Sequence, residues 1–296
     1  MIFANNVSTD AAGGGGAIYL ASPPLTITGS LFLHNVSANS GGAIYGDGGG
    51  TIKASSSLFS GNSAVGNGGA ISLDFAADLT LKNDVFSANQ GAEGGAIWVL
   101  NGGTLTIAGG SFLDNAASGA GGAIRTKING TAVENVSITG ALFLRNHTAS
   151  VGGAIFLSDA STSTIKATKF INNLGDLGGG AIYLNADVVG SSLDIFSSLF
   201  SANFGNNGGA IYAAEGAILN LTSSSILGNF ADFATGKGGG LYVSMGAAIR
   251  LTKTKIMGNA AYEGGGAFND MGAVTFGPDS KITGNYASIG PDTSGF

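Results

Sequence analysis

A single motif recurs along the whole chain at an almost fixed interval. Gly-Gly-Ala-Ile, often followed by an aromatic residue, stands at residues 15–19, 41–45 and 179–183 and returns about every 27 residues. Between copies lies a second signature, Phe-x-x-Asn, as at Phe32 and Asn35 or Phe59 and Asn62. A period of this size means a solenoid, in which each repeat leans only on its neighbours. The 296 residues would suggest two domains by length alone, but a solenoid grows by stacking and needs no second core. The chain therefore reads as one domain over residues 1–296, with residues 286–296 as a terminating segment.

Three short apolar segments fit in each repeat. One is the Ala-Ile-Tyr of the first motif, one is typified by Leu25-Thr26-Ile27 and Leu105-Thr106-Ile107, and one carries the Phe. Each alternates apolar with polar residues, the period of a strand, and is bounded by Gly, Ser and Asn. Three strands per turn in about ten turns predict an all-β parallel β-helix. At a strand spacing of about 4.8 Å its coils span roughly 50 Å. The Ile of the first motif, the Phe, and the column Ile27, Ile52, Leu81, Ile107 are expected to face inward. Burying each such side chain contributes about 1.5–3 kcal/mol, less than the entropy of ordering a whole coil. One coil is thus unstable alone, and the stack is the folding unit.

The Asn column runs through Asn35, Asn62, Asn89, Asn115, Asn146, Asn173, Asn203, Asn229 and Asn259. Asn tolerates the left-handed corner conformation, and stacked Asn side chains bond along an axis, so the column reads as a structural ladder. The Gly-Gly pair supplies a second corner. Near the end, Gly290-Pro291-Asp292 stands where the Gly-Gly-Ala is expected. It reads as the stop of the solenoid, since Pro does not donate to a sheet ladder. The N-terminal coil has no comparable stop, so further copies or neighbouring segments are expected to stack on it. Residues 1–6 already belong to a repeat and lack the basic and apolar regions of a secretory leader, as a fragment or a mature product would.

The paired Gly-Gly-Ala-Ile and Phe-x-x-Asn motifs, over residues 3–289, resemble the polymorphic outer-membrane-protein repeats of chlamydial surface proteins. The resemblance implies a right-handed parallel β-helix of the pectin-lyase-like kind, an extracellular or cell-surface location, and an adhesive or passenger role.

Composition narrows function by exclusion. There is no Cys, so neither a disulfide framework nor a thiolate metal site exists. A net charge of −6 with 12 Lys and Arg argues against nucleic acid as a partner, and no apolar run is long enough for a transmembrane helix. The position after the core Ile is the most informative one: Tyr19, Tyr45, Ser72, Trp98, Arg125, Phe156, Tyr183, Tyr212, Tyr242 and Asn269. Alternation places it outward beside an outward Ala column. Its aromatic members and Arg125 form a candidate interaction stripe for protein or glycan ligands, or a stacked ladder under a neighbouring loop.

Catalytic readings are thinner. Polysaccharide lyases and hydrolases occur on parallel β-helices, but fold does not imply function, and that chemistry needs clustered carboxylates or a supported base. The acids are dispersed with no Asp-Asp pair, Lys53 and Lys82 are expected to stack without a carboxylate, and His34 and His147 fall in distant coils. Thr-x-Thr, as an ice-binding face would need, is intact only at Thr26 and Thr28. Of six Asn-x-Ser/Thr sites, Asn6, Asn35 and Asn146 are expected to be buried in the ladder, leaving Asn129, Asn135 and Asn220 for any glycan. No cofactor or metal is expected. The sequence predicts a non-enzymatic β-helical rod with an adhesive or structural role, with a polysaccharide-active enzyme and an ice-binding protein as alternatives.

Overall fold

The computed structural model describes residues 1–11, 13–22, 24–75, 77–100, 103–127, 135–158, 162–186 and 192–296. Among them there is no helix. The chain winds through four parallel sheets, three of eleven strands and one of ten, each taking one strand from every coil. In chain order a coil passes through a Phe sheet (Leu58–Ser60), a short-strand sheet (Ser63–Ala64), a Gly-Gly-Ala-Ile sheet (Ile71–Asp74) and a Thr sheet (Asp78–Lys82). The coil is thus four-stranded, not three-stranded. The added strand is mostly two residues long and starts just after the ladder Asn, too short for alternation to show in sequence.

Alternation explains the core. Ile71 and Leu73, then Leu79 and Leu81, then Phe86 all lie inside with at most 1% of their surface exposed, because residues two apart on a strand share a face. The Ala column also faces inward: Ala43, Ala70, Ala96 and Ala123 have no exposed surface and belong to the apolar core, which corrects their outward assignment. The Phe column forms a continuous stack from Phe3 to Phe200, with ring centroids 4.7–4.9 Å apart and planes within 9° of parallel. That separation is the coil spacing itself. Ile226, Ile256 and Ile282 continue the column.

The Asn side chains form one hydrogen-bonded row through the stack. From Asn6 to Asn259 each Nδ2 donates to the Oδ1 of the next Asn at 2.7–2.9 Å. Each backbone N–H of the row donates to that same Oδ1, as Asn62 does to Asn89 at 3.0 Å. From Asn35 to Asn229 the second Nδ2 hydrogen reaches back to a Phe carbonyl one coil earlier, as Asn89 does to Phe59 at 3.0 Å, and Asn259 reaches Ile226 in the same way. Donors and acceptors are both used, which makes full burial of a carboxamide affordable. The left-handed corner falls on the residue before the ladder Asn rather than on the Asn itself: His34, Ala88, Arg145 and Ala202 have φ of 52–55°. Asn6, on the first coil, is exposed, whereas Asn35 and Asn146 are buried. Asn135 is exposed and Asn220 half-buried; Asn129 lies outside the described residues.

The two glycines of the motif do different work. Gly68 sits at φ +64°, and a Cβ on Gly69 would overlap the carbonyl of Gly95 in the next coil. One supplies the turn and the other the close approach of neighbouring backbones.

Register departs from expectation in three places. Ile52 pairs with Leu25 and Leu79, while Ala54 occupies the column of Ile27 and Leu81. Lys53 consequently lies beside Thr26 and Thr80, and Lys82 beside Ser55 and Ala108, so the two lysines do not stack. The third glycine of Gly264-Gly265-Gly266 shifts the last full repeat, so Phe268 rather than Asn269 follows Tyr242 in the aromatic column. Finally, Tyr286–Ile289 and Thr293–Ser294 still pair in register with the coil before. Gly290 takes the left-handed corner, φ +55°. Asp292 Oδ1 accepts from both the N–H and the Nδ2 of Asn285 at 3.0 Å, as a further ladder Asn would. The solenoid geometry therefore runs through this segment instead of stopping at it.

Candidate interaction surfaces

The column after the core Ile lies on the outer side of its sheet, opposite the apolar core. Its rings stack from Phe156 through Tyr183, Tyr212 and Tyr242 to Phe268, with centroids 4.5–5.3 Å apart. Arg125 lies over Phe156 at 4.5 Å. The stripe is outward yet mostly covered. Tyr45, Trp98, Phe156 and Tyr242 are at most 9% exposed, against 49% for Tyr19. The cover is the segment that leads into each Gly-Gly corner, which supplies Glu93 to Arg125 at 3.0 Å and Lys237 to the Phe268 ring at 4.3 Å. Tyr183 and Tyr212 are half-buried and edge a groove of about 540 Å³ with Asn185, Glu215 and Ser244.

Burial sets the electrostatics of this face. The Tyr45 phenol is pushed well above its ordinary range, chiefly by burial and then by donating to Asp74 Oδ2 at 2.8 Å. Tyr19 donates to Asp47 at 2.9 Å and Tyr242 to Asp270 at 2.9 Å. Asp74 is itself raised by burial, with the Tyr45 hydrogen bond pulling it down and the charge of Asp47 adding to the rise. The Arg125 guanidinium is lowered by burial and partly restored by Glu93. Asp47 and Asp74 are register partners on adjacent strands, which corrects the reading of the acids as wholly dispersed. The pair was legible, since each Asp stands four residues after the Ala of its own Gly-Gly-Ala.

Other candidate chemistry stays apart. His34 is an exposed corner residue, and His147 lies on the short-strand sheet facing Asp176 at 3.4 Å. Among the described residues no group of three or more His, Asp or Glu is placed to hold a metal ion.

The exposed aromatics lie elsewhere. On the short-strand sheet the residue after the ladder Asn points outward, and Leu174, Phe204 and Phe230 occupy that position in successive coils. Phe230 meets Phe233 with centroids 6.2 Å apart, and Leu177, Tyr262 and Tyr286 are exposed on the same stretch of coils. Phe233, Ala261, Tyr286 and Pro291 line a groove of about 340 Å³. Sequence reasoning passed over this row because it had no strand there to give it a face. The signal was the residue after each ladder Asn, which is apolar or aromatic from Leu174 onward and mixed before it.

A family model described as the Chlamydia polymorphic membrane protein (Chlamydia_PMP) repeat matches residues 1–21, 29–47 and 56–74. No curated protein and no solved structure matches the chain.

Proposed function

We propose that this β-solenoid, whose first coils carry the Chlamydia polymorphic membrane protein repeat, is a non-enzymatic adhesive rod displayed at a cell surface. The repeat is spent on axial order: the Phe stack, the Asn row and the Gly-Gly corners all face the interior or the neighbouring coil. What remains free is the outer surface. The single observation that carries the adhesive role is the row of outward aromatics Phe204, Phe230 and Tyr286 on the short-strand sheet, with Phe233 in the turn beside it, of which Phe233 is 63% and Tyr286 68% exposed. Exposed apolar clusters on a polar surface mark contact sites for other macromolecules, and aromatics dominate the energetics of such contacts. The ligand proposed for this row is a protein.

The test is adhesion of protein-coated beads to cultured epithelial cells. Wild-type beads are expected to bind above albumin-coated beads. Replacing Phe204, Phe230 and Phe233 together by Ser should abolish the excess while circular dichroism still shows a folded β-protein, since none of the three belongs to the apolar core. Wild-type beads that bind no better than albumin, or a triple variant that binds as well as wild type, would overturn the proposal.

A further inference from the structure

The lysines of this chain are not spread evenly over its surface. Six of the nine, Lys82, Lys166, Lys169, Lys253, Lys255 and Lys281, lie along the corner where the Thr sheet turns into the Phe sheet. Lys82 and Lys166 end their Thr strands, Lys253 sits at the corner with φ 51°, and Lys169, Lys255 and Lys281 open their Phe strands. All six are exposed, and none has an ion-pair partner among the described residues. Among those residues the strip holds two acids. Asp279 is exposed, in the corner position next to that of Lys253. Asp84 is 2% exposed and turned inward to the Ser57 and Lys82 backbone N–H groups. In a chain with 18 acidic and 12 basic residues, this strip reverses the sign of the overall charge.

Register sets the spacing of these lysines. Lys82 and Lys166 are three coils apart in one column, through Ala108 and Thr139. Lys169 and Lys255 are three coils apart in the next, through Leu199 and Ser225, and Lys281 follows Lys255 directly. At about 4.8 Å per coil the strip runs roughly 34 Å, with its lysine groups about 14 Å apart. Like charges directly opposite on paired strands are destabilising. Lys255 and Lys281 stand so, with Lys253 beside them, and a ligand that brings negative charge relieves the repulsion. The Debye length is about 8 Å at physiological salt, so lysines within a group act together while separate groups are screened from one another. Only a ligand long enough to touch two groups adds their attractions.

We propose that this strip binds an acidic linear polysaccharide laid along the solenoid axis. Sulfate or carboxylate groups of the polymer pair with the exposed ammonium groups, with no movement of the backbone. All six bases are Lys, compact charges without the bidentate fork of Arg, so recognition rests on charge and spacing rather than on the geometry of one anion. The choice of a polysaccharide over a nucleic acid rests on the surface display proposed above. The polymer runs past coils whose outward positions are Ala108, Thr139, Leu199 and Ser225 and meets ammonium groups at either end of each such stretch.

The test is binding of the full chain to immobilised heparin and to immobilised polygalacturonate, the sulfated and the carboxylated probe, from low to physiological salt. At least one is expected to bind, more weakly as salt rises. A disaccharide of the same polymer, too short to join two lysine groups, should compete poorly. Lys255→Gln with Lys281→Gln should weaken binding about tenfold or more. Lys127→Gln with Arg145→Gln removes the same charge from other faces and should change binding less than about twofold. Circular dichroism checks that each variant is folded. The Phe204, Phe230 and Phe233 triple variant, altered on another face, should bind the polymer as wild type does, so this inference and the adhesive reading fail separately. The proposal is overturned if neither polymer binds, if the two double variants weaken binding equally, or if the disaccharide competes as well as the polymer. Binding of oligothymidylate or of phosphatidylserine vesicles as tight as that of the better polysaccharide overturns it as well.

Discussion

Replacing Asn89 by Ala tests whether the carboxamide row holds the coils together. Asn89 Oδ1 accepts from the Asn62 backbone N–H at 3.0 Å and from Asn62 Nδ2 at 2.9 Å. Its own Nδ2 donates to the Phe59 carbonyl at 3.0 Å and to Asn115 Oδ1 at 2.9 Å. Asn62 and Asn89 have no exposed surface. Truncation therefore strands two donors of Asn62 in the interior, while Asn115 Oδ1 keeps the Asn89 N–H. At about 1–3 kcal/mol for each orphaned donor, the loss is about 2–6 kcal/mol. In a nearest-neighbour stack the damage concentrates at the junction of two coils. Urea unfolding followed by circular dichroism should show a lowered midpoint, and hydrogen exchange should show the Asn62 amide opening faster than amides several coils away. A loss below about 0.5 kcal/mol, within the range of an ordinary surface substitution, would refute the reasoning, as would unchanged protection at Asn62. Asn89→Asp sharpens the test. A carboxylate there still accepts from Asn62 but faces the Phe59 carbonyl and Asn115 Oδ1 with no hydrogen to give. Its folded pKa must rise above the unfolded value of about 3.9. The variant is then most stable below that unfolded value and loses stability as pH rises through the folded one.

Three further outcomes follow from the same geometry. Gly69→Ala should cost about 3 kcal/mol or more because its Cβ meets the Gly95 carbonyl, whereas Gly29→Ala, at φ +53° with open space around it, should cost about 1–2 kcal/mol; urea midpoints of the two variants separate the roles. Phe112→Ala, in mid-stack and 1% exposed, should cost about 3–5 kcal/mol, but Phe112→Ile less than about 2 kcal/mol, since Ile226 already follows Phe200 in that column. Asp84 is raised by burial, although it accepts from the Ser57 and Lys82 backbone N–H groups. The stability tied to it is present below the unfolded carboxylate value and is lost as pH rises through the folded value, so the stability of Asp84→Ser relative to wild type should climb with pH across that window in urea midpoints taken as a pH series.

The parts of the fold legible in the sequence are those in which one residue type must recur. Gly69 has no substitute where backbones touch, and Asn89 has none where a side chain must both donate and accept along the axis. Columns defined only by being apolar were harder to place. Ile52 outranked Ala54 by size, although the strand buries both and the register follows the position of Ala54. The triple glycine at residues 264–266 offered two alignments, and only the pairing of Tyr242 with Phe268 separates them. The cover over the aromatic stripe was not legible, because Glu93 and Lys237 reach it from segments whose path no periodicity describes. The Phe204 and Phe230 row was hidden for a simpler reason: a two-residue strand is too short to alternate.

The Asn row also has a sense. Every Nδ2 points to the next residue of the row, and the order never reverses from Asn6 to Asp292. A carboxamide turned the other way would set oxygen against oxygen on one side and hydrogen against hydrogen on the other, so the arrangement is fixed for all members at once. It is also indifferent to how many members there are. Taking out one complete coil, from one ladder Asn to the next, brings together two ends that already fit, and inserting one does the same. Coil number is thus a quantity that gene duplication and deletion can change in whole units without redesigning a junction. The length of the rod becomes adjustable in steps of about 4.8 Å.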